Sequence, residues 1–279
     1  MTWIDSHAHI GSPELAPQAG DLLDRGREAG VIAVIAVGAG YGVGPNGVAV
    51  ALAEQHPDVW ATAGVHPHDA QDWNEMAERA VDGWLGHGRV QAVGECGLDY
   101  WYERAPREEQ RACLRAQIAL ARRHGKPIVI HVRPARDSRD AFEEILQIFD
   151  EEGADRCGGV IHCFTGDLPF ARECLARDFD ISFSGIVTFR NASDLRDVAR
   201  ALPLDRLMIE TDSPLLAPEP HRGKRNEPAF VARVAACLAE LHGVAPETVG
   251  AHTALRAQER FRLGVVFDAA RARAGEARS

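Results

Sequence analysis

Residues 107–133 read REEQRACLRAQIALARRHGKPIVIHVR, and this stretch decides the fold class. Over 107–125, Cys113, Leu114, Ile118 and Ala121 share one face at the spacing of an amphipathic helix. His124 and Gly125 then supply a C-terminal stop. From Pro127, PIVIHV is a short apolar run rich in β-branched residues, which predicts a strand. A helix leading directly into an apolar strand is half of a βαβ unit.

The same alternation extends in both directions. Strand-like runs begin with WIDSHAHI at residue 3, VIAVIAVG at Val31, VWATAGV at Val59 and VQAVGECGLD at Val90. After PIVIHV come GVIHCF at Gly159, FDISFSG at Phe179 and RLMIETDS at Arg206. Eight strands separated by amphipathic segments imply parallel βαβ units. Eight units in about 260 residues suit a (β/α)8 TIM barrel, whose typical size is about 250. The rival architecture is an open doubly wound sheet. No low-complexity linker divides the chain, so residues 1–267 read as one barrel domain. The small, charged segment at 268–279 reads as a frayed tail.

Composition narrows the function. The formal charge of −10 argues against a broad polyanion-binding surface, though not against a local basic patch. The six cysteines form no CxxC pair, which fits a reducing compartment and speaks against a thiolate zinc site. No apolar run approaches a membrane span, and no basic-then-apolar leader is evident. A cytoplasmic protein that needs no membrane and no obligate protein partner is expected.

In a TIM barrel, chemistry gathers where strands end at the C-terminal face. The polar residues expected there are His7 and His9 on strand one, Glu95 on strand four and His131 on strand five. Strand six contributes His162 and strand eight contributes Asp212. Period-two geometry points His7 and His9 the same way. Each residue alone has an ordinary structural explanation. Converging in one funnel, six ionisable groups would destabilise it without compensating charge. Two divalent cations supply that charge, and one carboxylate shared between them distributes six ligands sensibly. Such ions would lie about 3.5–4 Å apart. Imidazole with carboxylate suits zinc, manganese, iron or cobalt. The only lysines are Lys126 and Lys224, and neither stands at a strand's C-terminal end. A carbamylated-lysine bridge is therefore excluded, and Glu95 takes the bridging place.

These residues resemble the TatD family of metal-dependent deoxyribonucleases, within the amidohydrolase-like barrels. The likeness runs from IDSHAH near residue 4 to RGKRNEP near residue 228. Between them lie GVHPHDA (from Gly64), GECGLDY (from Gly94), KPIVIHVR (from Lys126), HCFTGD (from His162), ISFSGIVTF (from Ile181) and IETDSP (from Ile209). The resemblance implies that His7, His9, Glu95 and Asp212 hold a first metal. It implies that His131, His162 and again Glu95 hold a second. It further implies hydrolysis of phosphodiester bonds in DNA, 3′→5′ exonuclease action, and support by magnesium or manganese. With zinc also suited to the ligands, the native ion is left open. Three positions depart from the usual pattern: Leu215 after ETDSP, Arg256 in the last helix, and a longer segment over Pro134–Ser138. Leu215 and the longer segment bear on substrate preference.

The reaction expected is attack of an activated water on a phosphodiester phosphorus, with Asp212 orienting the nucleophile and accepting its proton. Arg222, Lys224 and Arg225 form a basic loop suited to phosphate, or simply a solvated loop. Arg133 is a second phosphate candidate. His66 and His68 either line the pocket or cap a turn. Glu210, two residues before Asp212, is expected on the same strand face, as a partner orienting a ligand histidine. The alternatives are a binuclear hydrolase of a small cyclic amide, lactone or phosphoester, and a non-catalytic binding protein.

Overall fold

Every side chain of the first strand, β1 (Trp3–Ala8), is buried in the computed structural model of the chain. A strand covered on both faces needs a core inside and helices outside, and the rest of the chain provides both. The structure describes residues 1–264; the expected tail at 268–279, and the end of the expected domain at 267, lie outside them.

The strands that follow are β2 (Val31–Val37), β3 (Val59–Ala63), β4 (Val90–Asp99) and β5 (Ile128–Arg133), then β6 (Gly159–Ile161), β7 (Phe179–Phe183) and β8 (Leu207–Ile209). Each pairs in parallel with its predecessor, giving one eight-stranded sheet in sequential order. Between them run α1 (Ala19–Glu28), α2 (Pro45–Gln55), α3 (Glu75–Leu85), α4 (Arg107–His124), α5 (Asp140–Glu152), α6 (Leu168–Ala176) and α7 (Ser193–Ala201). Two more helices, α8 (Val231–His242) and α9 (Pro246–Phe261), follow β8. The sequence-based limits of α4 agree closely: Gly125 caps it at φ +60°, and Cys113, Leu114, Ile118 and Ala121 lie on its buried face.

The sheet curls until β8 meets β1, which rules out the open doubly wound alternative. At the mouth the seam is backbone: Asp212 N–H donates to His7 O (2.9 Å) and His9 N–H to Ser213 O (2.8 Å). Lower down, side chains take over. The Asp5 carboxyl accepts from the Thr211 N–H (2.9 Å) and hydroxyl (2.6 Å), and the Ser6 hydroxyl donates to Ile209 O (3.0 Å). Burial pushes the Asp5 carboxyl up to about 8, against the pull of the Thr211 hydrogen bonds.

Inside the barrel, Ile4, Ile35, Trp60, Ala92, Val129, Val160 and Met208 pack together, and Ala254, Ala257 and Phe261 of α9 close the floor. Arg256 belongs to this floor. With Arg206 and Arg260 it surrounds the buried Asp180 carboxylate at 2.7–2.8 Å. Arg256 thus belongs to a structural ion cluster on the side away from the mouth. Among the described residues no single helix is long and apolar enough to cross a membrane.

Two strands are shorter than their sequence suggests. β6 stops at Ile161 and β8 at Ile209, so His162, Glu210 and Asp212 lie beyond the ladder. Cys163 (φ +44°) and Asp212 (φ +56°) turn left-handed there. Both carboxylates still reach the mouth, Glu210 against His162 and Asp212 beside His7, His9 and His162.

Candidate metal centre

The side chains at the mouth are arranged around Glu95, which is buried on β4. Its two oxygens face different groups. Oε2 lies 3.4 Å from His7 Nε2 and 3.5 Å from His9 Nε2. Asp212 Oδ1 stands 3.7 and 3.5 Å from the same two nitrogens, which are 3.3 Å apart. Ligands about 2.0–2.2 Å from a central ion stand about 3.3–3.6 Å apart at the corners of a tetrahedron. The five separations are close to such edges, and two overlapping groups, His7 with His9 and Glu95 and His7 with His162 and Asp212, are compact enough to hold a cation. Neither His7 Nδ1 nor His9 Nδ1 has a hydrogen-bond partner although both are buried, leaving the Nε2 atoms as the organised ends.

Glu95 Oε1 meets three imidazoles: His131 Nδ1 at 3.1 Å, His162 Nε2 at 2.7 Å and His66 Nε2 at 3.3 Å. The far nitrogen of each ring shows which near nitrogen carries a lone pair. His131 donates through Nε2 to Asp99 Oδ2 (3.0 Å), so its Nδ1 is free to ligate. His162 donates through Nδ1 to Glu210 Oε1 (3.2 Å), so its Nε2 is free to ligate. Consistent with that, His162 Nε2 makes no well-aligned hydrogen bond despite its closeness to Glu95. His66 is opposite in sense. Its Nδ1 accepts the His68 N–H at 3.0 Å, so the proton sits on Nε2 and points at Glu95. Burial pushes the His66 imidazole down to about 4, which keeps it a neutral donor. His68 turns away and donates to Asp99 Oδ2 at 2.9 Å.

Charge balance follows the same geometry. Burial works against ionisation of Glu95, yet the charge of the surrounding imidazoles, His162 first, holds its carboxyl well below the usual range. His162 is raised well above an ordinary imidazole, because Glu95 and Glu210 outweigh its burial. Asp212 stays low despite burial, through the His9 hydrogen bond and the charges of His162, His7 and His9. The same carboxylates raise His9 and His131, so carboxylates and imidazoles in the pocket favour each other's charged forms.

Supporting side chains hold these groups still. Glu210 also accepts from the Ser182 hydroxyl (2.5 Å) and the Cys163 N–H (2.7 Å). Asn46 and Gln117 clamp the backbone of Gly64 and Val65, just before His66. Asn226 donates to Thr211 O and Leu215 O (both 2.7 Å), pinning the turn around Asp212. Sequence reasoning misses Asp99, Asn46, Gln117 and Asn226. Asp99 has a usable signal: Glu95 and Asp99 stand four residues apart on one strand, so their side chains share a face. Glu210→Ala is expected to weaken cation binding about 10- to 100-fold, the usual effect of losing the partner that orients a ligand histidine. Competition with a chelator of known affinity measures this.

The basic residues lie farther out. Arg222 sits over the Phe189 ring at 4.2 Å, Arg225 donates to Gln18 Oε1 at 2.9 Å, and Lys224 is exposed. None of the three touches the imidazole cluster. Leu215 is 55% exposed at the rim, with its N–H on Asp212 O. Arg133 ends β5 and packs on Trp101 and Tyr102.

A closed parallel barrel with an imidazole–carboxylate donor set at the C-terminal mouth defines a metal-dependent hydrolase. Comparison with known proteins narrows the class. The family model described as TatD related DNase matches residues 4–262. The chain is 38% identical over 260 residues to the uncharacterized metal-dependent hydrolase YabD of Bacillus subtilis (strain 168), covering 93% of this chain and 99% of that one. It is 34% identical over 266 residues to the 3′-5′ ssDNA/RNA exonuclease TatD of Erwinia tasmaniensis, covering 93% and 100%. Among solved structures, the TatD homolog YJJV of Escherichia coli superposes with TM-score 0.85 at 28% identity, covering 93% and 98%. The chain belongs to the TatD related DNase family.

Proposed function

We propose that this protein is a metal-dependent exodeoxyribonuclease that hydrolyses phosphodiester bonds from the 3′ end of DNA, acting without a protein partner. The observation that carries the reading is Glu95, one carboxylate whose two oxygens face two separate sets of nitrogen donors. His7, His9, Glu95 and Asp212 would hold one divalent ion, and His131, His162 and Glu95 a second, whether magnesium, manganese or zinc. Ions bound there supply Lewis acidity to a phosphoryl oxygen and to an attacking water.

The protein's own groups do the rest. Asp212, ionised at neutral pH, aligns the attacking water and accepts its proton. The neutral His66 Nε2–H gives a hydrogen bond to a phosphoryl oxygen beside Glu95. Asp99 and Glu210 keep the rings of His131 and His162 in register. Arg133, with Arg222, Lys224 and Arg225 farther out, binds the strand's phosphates. A cytoplasmic setting suits the six cysteines, all of them free.

The test uses manganese- or magnesium-loaded protein and oligodeoxynucleotides labelled at one end. A 5′-labelled strand is expected to shorten stepwise, and a 3′-labelled strand to release mononucleotide first. Internal cuts without end trimming, or no cleavage with either ion, would overturn the proposal.

A further inference from the structure

β4 runs straight from Glu95 to Asp99, and the chain then turns into Trp101 and Tyr102. Asp99 fixes that turn. Its Oδ1 accepts the Trp101 N–H (3.0 Å) and the Tyr102 N–H (2.8 Å), while its Oδ2 accepts His131 Nε2. One buried carboxylate thus ties two aromatic residues to an imidazole whose other nitrogen faces Glu95.

Both rings stand in solvent, Trp101 at 41% and Tyr102 at 52% exposure. Two adjacent large aromatics left exposed at a site's rim suggest a partner with a flat apolar face. The cations beside them narrow its chemistry. Arg133 Cζ lies 4.8 Å from the Trp101 ring centre and 4.9 Å from that of Tyr102, and Arg136 Cζ lies 5.3 Å from Trp101. Among the described residues no carboxylate pairs with either arginine, in a chain of net charge −10. A guanidinium held over a ring keeps N–H donors at its edge, and those suit phosphate oxygens.

We propose that Trp101, Tyr102, Arg133 and Arg136 form a platform on which unpaired bases of single-stranded DNA stack, next to the metal centre. The inference rests on the nuclease reading and assigns the residues that would hold the bases. Alternating flat bases and phosphates are what interleaved rings and free guanidiniums accommodate. Paired bases already stack on their neighbours, so the interior of a duplex offers the platform no free face.

The test is binding to a fluorescent phosphorothioate oligodeoxynucleotide, which resists hydrolysis, followed by anisotropy with metal-loaded protein. The double variant Trp101→Ala/Tyr102→Ala is expected to bind the single strand about 10-fold or more weakly, as lost base stacking requires. An abasic strand of equal length and charge is expected to lose within about twofold, since it offers nothing to stack. Trp101→Phe/Tyr102→Phe keeps the ring faces and is expected to restore binding, which separates stacking from misfolding. Equal losses on both strands, no loss on either, or failure of the phenylalanine variant to restore binding would overturn the platform. The nuclease reading fails separately: wild-type protein that binds in this pattern but shortens no strand would retain the platform and lose the exonuclease.

Discussion

Glu95→Gln is expected to abolish cleavage and to strip more metal from the protein than any single histidine replacement. The reason is the division of labour between its oxygens. Oε2 faces His7 and His9, while Oε1 faces His66, His131 and His162. An amide keeps the shape but offers one carbonyl oxygen. Its NH₂ turns donors toward whichever nitrogens it meets, and the negative charge among five imidazoles is gone. His131→Ala, by contrast, removes one donor from one group. The loss on Glu95→Gln is expected to exceed the about 10- to 100-fold that follows removal of an orienting partner. Elemental analysis beside an end-labelled cleavage assay checks both parts. A Glu95→Gln protein that keeps two ions and near wild-type turnover would show that Glu95 is not the bridge.

Asp212→Asn is expected to separate chemistry from binding. Asparagine preserves size and one coordinating oxygen but cannot take up a proton at neutral pH. The fold and DNA affinity are expected to survive, with at least one ion retained. The single-turnover cleavage step is expected to fall about 10²-fold or more, the effect of losing a general base. Replacing Arg222, Lys224 and Arg225 together is expected to act on the other side of the division. It weakens DNA binding and flattens the salt dependence by up to about two units of log–log slope for a single strand. Saturating enzyme in the cleavage assay, with a parallel binding titration at several salt concentrations, distinguishes the two. Wild-type cleavage by metal-restored Asp212→Asn, or unchanged DNA binding by the loop variant, contradicts the assignment.

Much of this architecture is legible in the order of the residues alone. The eight apolar runs and the amphipathic face of α4 follow from periodicity, because burial on both faces of a strand and one face of a helix leaves those patterns. HxH in β1 points two rings one way, and their Nε2 atoms do meet at 3.3 Å. What periodicity cannot reach is the conformation beyond the ladder. Glu210 and Asp212 look like residues of a strand, but β8 ends at Ile209 and Asp212 itself is left-handed. The proton on His66 is equally hidden. It depends on the His68 N–H closing a turn onto Nδ1, a contact with no signature in residue type. Asp99 is within reach, since it shares a strand face with Glu95, yet as the end of a strand it reads as an ordinary turn former.

The seam between β1 and β8 has a consequence for how the protein breathes. Elsewhere the barrel is knitted by parallel ladders, but here backbone bonds gather at the mouth and side chains bridge the remainder. His7 and His9 stand on one side of that gap and Asp212 on the other. A cation gripped by both sides acts as a rivet across the least stitched join of the cylinder. Because it binds the folded form alone, its occupancy adds to stability in proportion to the logarithm of its concentration over its dissociation constant. Chelation should therefore loosen this join before the rest of the barrel. Amide hydrogen exchange is expected to quicken first at His9 and Asp212, whose N–H groups cross the gap, while the ladder between β4 and β5 stays protected.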